Sequence, residues 1–427
     1  MKPCILVCLS FLSFVPLQVS AQGESAVPFL LIQPSTTANG MGSVTAAIIS
    51  DDPVATIMNP AQLGMFGLHN YFSLSTYSPK TQWLPSFGLS DLTYDVLALN
   101  AGFDLSRAVE LPFPVSIGIG YSRIDLNLGT FVRPDTAGRV LGTFRSFENS
   151  KQFSAAIGFD WFVQASIGWN FKSIDSRLTP VGGGQTSGGS QATPTATDFG
   201  VLVHAPIFSI LQKADVADVR FFSDVTPLLD FTFGYARRNM SDKAVFYVGN
   251  ASGDPLPRSA TIGLSAEIGL TTKVHERTWK VVTFILAREA EDLLIVRNAN
   301  GTFSYQSGLG DISFFKHVIQ GKLSDDERAD LHKGWQLNFG EMVYLRGGSF
   351  AESPNYGNRN YSTSGFGIRI GGVWKLLQAL SPEVAESEVW AFITNHFDFG
   401  YDHAEYKTEP THPLSDIKFN SITVILK

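Results

Sequence analysis

Three groups of side chains have the types and spacing for chemistry. His396, Asp398, Asp402, His403 and Glu405 are the densest set of potential metal ligands. Imidazoles and carboxylates together suit a divalent ion or a general acid–base pair. On a strand alternate residues share a face, so Asp398 and Asp402 would converge on one side and His403 and Glu405 on the other. Asp51-Asp52 could serve as paired carboxylates. His275-Glu276 begins like a zinc-protease motif, but Arg277-Thr278 follow and no second histidine completes His-Glu-x-x-His. There is also no Gly-x-Ser-x-Gly elbow. Polar residues at a strand rim account for the first group, and acidic charge at a helix start accounts for the second. The expectation is therefore no enzyme, no catalytic residue, no bound metal and no cofactor. A formal net charge of −7 argues against nucleic acid as a partner.

The elements that would carry these groups are strands. Val115, Ile117, Ile119 and Tyr121 alternate with serine and glycine. So do Phe153–Trp161, Ala165–Phe171, Leu229–Tyr235 and Ile262–Leu270, and weaker alternation recurs near 70–77, 93–103, 281–288, 336–346, 364–374, 389–401 and 419–426. The count is roughly 12 to 15 strands of ~9–12 residues, near the ~9–11 that a membrane-crossing strand needs. Alternation by itself does not say which face is dry, since a soluble sandwich and a membrane barrel share it. Composition favours the barrel. Only 17% of the 427 residues are charged, against about 25% in ordinary globular chains. Aromatics make up 12%, and there are 39 glycines and 33 phenylalanines. Asp230, Glu267, Lys172 and Arg369 fall in the Gly/Ser-rich rows, which suits a lumen. Trp161-Phe162, Trp335, Trp374 and Trp390 fall near expected strand ends, as interfacial girdles do. The fold class expected is an all-β, transmembrane antiparallel β-barrel of about 14 strands with a short N-terminal plug.

The domain plan has three parts. Residues 1–21 read as a secretory signal: Lys2, an apolar stretch from Cys4 to Val15, and a small-x-small site ending at Ala21. Its removal would take both cysteines, Cys4 and Cys8, and exclude disulfides. Residues 22–64 read as a plug or hatch segment. Gly40 and Gly42 flank Met41 and allow a tight path, Asp51-Asp52-Pro53 can start a short helix, and Asn59-Pro60 favours a turn. Gly40, Met41, Gly42, Asp51, Asp52, Asn59 and Pro60 are thus the plug or gate candidates. Residues 65–427 form the barrel. Within it, 180–198 is a Gly/Ser/Thr-rich loop, Ser324 with Glu327 suggests a capping box for a short helix over 325–333, and 205–226 and 376–388 read as loop or short helix.

The segment 26–64 also carries a resemblance. AVPFLLI-x-P at 26–34, ANGMG at 38–42, the acidic pair at 51–52 and NPA at 59–61 resemble the N-terminus of the PorV/PorQ family of outer-membrane barrels, relatives of the fatty-acid transporter FadL. Further pieces follow in order: Leu126–Arg133 with Gly138–Phe144, Ser166–Ile174, Asp198–Val201, Asp254–Arg258 and Ser421–Leu426. Ile57-Met58 and Thr37-Ala38-Asn39 depart from the family pattern. The resemblance implies a barrel in the outer membrane of a Gram-negative bacterium. It is closest to the branch that serves type IX secretion, where the barrel binds the C-terminal signal domain of secreted cargo and hands it to surface attachment machinery. Partners implied are outer-membrane lipid, the type IX translocon and cargo, with loops at 180–198 and 345–362 and Arg346, Tyr356, Arg359 and Tyr361 as partner-binding candidates. The alternative is a FadL-like channel for uptake of hydrophobic small molecules.

Overall fold

The computed structural model describes residues 25–427 except 70, 136, 179–190, 217–224, 248–252, 275–276, 299, 301 and 382–386. The expected signal peptide, His275-Glu276 and most of the 180–198 loop lie outside the described residues. The strands, in chain order, are β1 (Phe72–Tyr77), β2 (Thr93–Asp104), β3 (Val115–Pro134), β4 (Val140–Asp160), β5 (Gln164–Arg177), β6 (Thr195–Pro206), β7 (Val225–Met240), β8 (Ser259–Val274), β9 (Arg277–Leu293), β10 (Asp330–Phe339), β11 (Val343–Ala351), β12 (Asn360–Arg369), β13 (Phe397–Lys407) and β14 (Lys418–Leu426). Each pairs antiparallel with its sequence neighbours, and β1 pairs with both β2 and β14, closing a 14-stranded barrel. The closing ladder runs from Phe72↔Leu426 to Tyr77↔Ser421. Closure matters physically, because in lipid an unpaired strand edge has no water to satisfy it. No helix of the described residues is long and apolar enough to cross a membrane.

One row of each strand faces out and is apolar: Ile117 and Ile119 on β3, Phe153 on β4, Trp169 and Phe171 on β5, Phe231 on β7, Ile268 on β8, Phe366 and Ile368 on β12 are all exposed. This is the band a barrel turns to lipid. The opposite row is small or polar and buried, and it lines the lumen.

Both chain ends of the barrel, Phe72 and Leu426, lie at one rim, here the terminal rim. Its connections include 161–163 and 340–342, the helix α3 (Ile207–Lys213), and two further helices, α4 (Ile370–Leu380) and α5 (Glu388–His396), joined by Trp374 and Trp390 with ring centroids 4.9 Å apart. The far rim carries the connections 78–92 and 241–258 and the longest of all, 294–329.

Several sequence expectations move. The alternation at 336–346 hides a turn, in which Gly340 and Glu341 take positive φ and Asn338 Oδ1 accepts the Glu341 amide at 2.9 Å. The stretch 364–374 leaves the sheet at Arg369 and continues as α4, and 389–396 is helix before β13 begins. No helix forms over 325–333. Ser324 and Glu327 both accept from Lys316 Nζ, each at 2.5 Å, and β10 begins at Asp330. The residues before them, 309–319, instead fold down the outside of the barrel and bury Ile312 and Val318 against Ile262 and Ala290. Trp335 is not at a strand end but in mid-strand, facing outward.

Candidate functional site in the barrel lumen

Residues 25–68 lie in the lumen and have almost no regular structure of their own. They comprise 3-10 turns at Pro28–Leu31 and Pro53–Ile57 and two short helices, α1 (Thr36–Asn39) and α2 (Gln62–Gly67). In the half of the lumen nearer the terminal rim, the wall meets this segment with glycine. A Cβ on Gly118 would collide with Leu63, on Gly158 with Gly64, on Gly168 with Pro60, on Gly200 with Asn59, on Gly234 with Ala46, on Gly334 with Met41 and on Gly348 with Gly42. These seven glycines come from seven different strands, so the segment's backbone runs round the inside of the wall at van der Waals contact.

A backbone without its own ladder must find other partners, and wall side chains supply them. Ser116, Ser166 and Ser265 donate to the carbonyls of Gly64, Ala61 and Ala47 at 2.6, 2.7 and 2.6 Å. Glu289 accepts from the amides of Thr45 and Ala47 at 2.8 and 2.7 Å. Gly42, at φ +66, donates to Thr363 at 2.8 Å and its carbonyl lies 3.0 Å from His332 Nδ1.

The gate candidates fall into this seat with one exception. Gly40 touches Gly365, Met41 is 1% exposed, and Gly42 is held as described. Asp52 accepts from Ser35 Oγ at 2.6 Å and caps the turn at Val54 N at 3.0 Å. Asn59 donates to Ala46 O at 2.9 Å and Pro60 packs on Gly168 and Gly200. Asp51 is exposed and takes no part, so Asp51-Asp52 is not a carboxylate pair in space.

The far half of the lumen is different. Ring contacts pass from strand to strand along the wall: Phe350 to Tyr361 at 5.0 Å, Tyr361 to Tyr406 at 4.6 Å, Tyr406 to Phe419 at 5.2 Å, Phe419 to Tyr77 at 6.2 Å, Tyr77 to Tyr94 at 6.1 Å and Tyr94 to Trp83 at 6.0 Å. Such centroid spacings are those of attractive aromatic pairs. The arc crosses β11 to β14, β1 and β2. Val96, Ile124, Leu126 and Ile174 extend it, and Phe29, Leu30, Val54 and Ile57 of the lumen segment pack against it. Two hydroxyls of the arc still hold the segment, Tyr77 to Pro34 O and Tyr406 to Asn39 Oδ1, both at 2.6 Å.

Two of the partner-loop candidates belong to the lumen instead. Arg346 is not in a loop. It sits in β11, 4% exposed, and pairs with Asp402 at 2.7 Å, opposite Arg369, which pairs with the second carboxylate oxygen at 2.7 Å. Burial of a carboxylate requires such pairing. Tyr361 belongs to the aromatic arc. Tyr356 and Arg359 are in the far-rim connection 352–359 and close to it, where Arg359 is bound by Glu352 at 2.9 Å.

The five-residue metal set is divided by the wall. Asp398 and Asp402 face in, but Asp398 takes the Gly371 amide at 2.8 Å while Asp402 takes the arginines. His403 faces out and bonds Asn420 at 2.8 Å. Among the described residues no cluster of three or more His, Cys, Asp or Glu could hold a metal.

Sequence reasoning missed the arc. Its signal was present: an aromatic residue at the far end of a small, polar row, as in Gly400, Asp402, Ala404, Tyr406 and in Thr423, Ser421, Phe419.

No family model and no curated protein matches this chain. Among solved structures it is similar to the Pseudomonas putida toluene transporter TodX, at 9% identity and a TM-score of 0.34 over 91% of this chain and 96% of that one. It is similar to the CymD monoaromatic hydrocarbon channel at 12% identity and 0.33 over 91% and 95%. A Pseudomonas aeruginosa FadL homologue matches at 8% and 0.33 over 92% and 96%. Likeness at this level carries no assignment of function.

Proposed function

We propose that this protein is an outer-membrane channel for small hydrophobic molecules, gated by residues 25–68. The observation that carries the reading is the aromatic and aliphatic lining of the far half of the lumen. A water-filled pore lines its interior with polar groups, whereas this lumen turns Tyr94, Phe350, Tyr361, Tyr406 and Phe419 inward. An apolar solute gains by leaving water for such a surface, by about 25 cal/mol per Å2 buried. The lumen segment would then be both the stopper and, through Phe29 and Leu30, part of the lining. Long connections are more numerous at the far rim, and the longest, 294–329, lies there, which favours the far rim as the outer one and the terminal rim as the periplasmic one.

The test is entry of an apolar solute into proteoliposomes holding the full chain. A small aromatic hydrocarbon or a fatty acid should enter faster than into protein-free vesicles, while a sugar of similar size should not. Equal entry of both, or of neither, would overturn it.

A second reading, a cargo-binding barrel of type IX secretion, is favoured by one feature. Residues 128–134 and 140–146 project beyond the neighbouring strands as a two-stranded ribbon and expose Phe131, Val132, Val140 and Leu141. Exposed apolar side chains on a projecting edge suit a protein partner. Loss of the gene should then strand cargo in the periplasm with its C-terminal signal uncleaved, and normal secretion in the mutant would sink this reading.

A further inference from the structure

We propose that the barrel binds phosphate-bearing lipid headgroups at two places on the far edge of its apolar band. The inference rests on the barrel spanning the outer membrane, not on what the lumen passes. The outward rows change from apolar to polar at one level: Tyr121 gives way to Arg123 on β3, Phe153 to Lys151 on β4, Leu286 to Arg288 on β9 and Trp335 to Lys333 on β10. At that level Arg123 lies directly across the ladder from Lys151, and Arg288 directly across from Lys333. The two pairs stand on nearly opposite sides of the ring.

Like charges directly opposite on neighbouring strands destabilise a sheet, so two such pairs at one boundary need a compensating anion. Arg123 has one of its own, Asp125 at 2.7 Å, and Arg288 is steadied by the Ile319 carbonyl at 2.6 Å. The ammonium groups of Lys151 and Lys333 are exposed and meet no acceptor among the described residues.

The surroundings point to a lipid and not to a free ion. On one side of Arg123 a depression of about 370 Å3, bordered by Asn127, Asn149 and Arg177 and by the carboxylates of Asp95, Asp125 and Asp175, has room for a sugar headgroup whose hydroxyls those carboxylates can accept from. On the other side Tyr121 and Phe153, with rings 5.3 Å apart, and Ile119 offer a surface for acyl chains. A phosphate joining the two would lie between Arg123 and Lys151, where charge-assisted hydrogen bonds are strongest.

The test is native mass spectrometry of the detergent-solubilised full chain with a bis-phosphorylated lipid A, its dephosphorylated form, and inorganic phosphate. The phosphorylated lipid should bind at two sites. Arg123→Gln with Lys151→Gln should weaken one of them about tenfold, and Lys333→Gln the other. Heat-modifiable migration of each variant reports that the barrel is intact. Equal binding of the dephosphorylated lipid, unchanged binding in the intact variants, or displacement by millimolar inorganic phosphate would each overturn the proposal. Failure of solute entry in proteoliposomes would overturn the channel reading and leave this result standing.

Discussion

The two halves of the lumen are built on opposite principles. In the terminal half, backbone packs against backbone. The wall offers glycine where the segment passes, and serine, threonine and Glu289 hold its amides and carbonyls. In the far half, side chain packs against side chain, and rings from six strands make a lining, held to the segment by the Tyr77 and Tyr406 hydroxyls. A glycine seat tolerates no added atom, because the backbone on both sides is fixed. A side-chain lining can re-form around a different occupant by changing rotamers. The contrast places the closure of the lumen in the terminal half and its adaptable apolar surface in the far half.

That contrast can be broken most severely at a seat glycine. Gly234→Val would drive a side chain into the Ala46 carbonyl. The wall ladder does not depend on the segment, so the barrel should persist while the segment is expelled. Ion conductance in planar bilayers should rise roughly tenfold or more, as a filled lumen becomes a water channel. A next step down is Asp402→Ala, which strands Arg346 and Arg369 as unpaired buried cations. Removing one partner of a buried pair costs about 3–5 kcal/mol, read as a lower denaturant midpoint for loss of the heat-modifiable form.

In the far half, Tyr361→Ala should cost less, about 1–3 kcal/mol, because the ring is only partly buried and its neighbours can relax. It should change the rate of apolar solute entry and leave ion conductance unmoved. The most local effect is expected for Glu289→Gln. The side chain keeps its shape, but Thr45 and Ala47 donate to different oxygens and the NH2 that replaces one of them cannot accept, so one bond becomes neutral and the other is lost, about 1–3 kcal/mol. Hydrogen exchange at the Thr45 and Ala47 amides should speed up several-fold, with no change at the wall.

The wall was largely legible in the sequence, since its outward row is apolar and its inward row small, and the period of two survives along most strands. Legibility failed where that contrast fades. Past Ser122 the contrast on β3 reverses, with Ile124 and Leu126 turned inward and Arg123, Asp125 and Asn127 outward, and β4 is polar on both faces from Glu148 to Gln152, so the reading stopped near Ser122 and began near Phe153 although the strands continue to Pro134 and start at Val140. In α4, Ile370, Val373 and Leu377 satisfy a helical spacing, but with Gly371 and Gly372 between them the start also passes for a strand. The glycines of the inward rows were visible as composition, and their purpose was not. Only the folded lumen brings Gly168 to Pro60 and Gly334 to Met41. The rings of the arc were visible one at a time, each at the end of a small, polar row, but not as an arc, because they come from positions separated by most of the chain and are joined only by closure of β1 on β14.

The central claim is that apolar molecules enter the far half of the lumen. The most direct measurement is photolabelling of the full chain in lipid nanodiscs with a small apolar diazirine, with adducts mapped by mass spectrometry. Label on Phe350, Tyr361 and Tyr406, reduced by an excess of an unlabelled aromatic hydrocarbon, is the predicted result. Label confined to outward residues such as Phe366 and Ile368, with none in the arc, would contradict it.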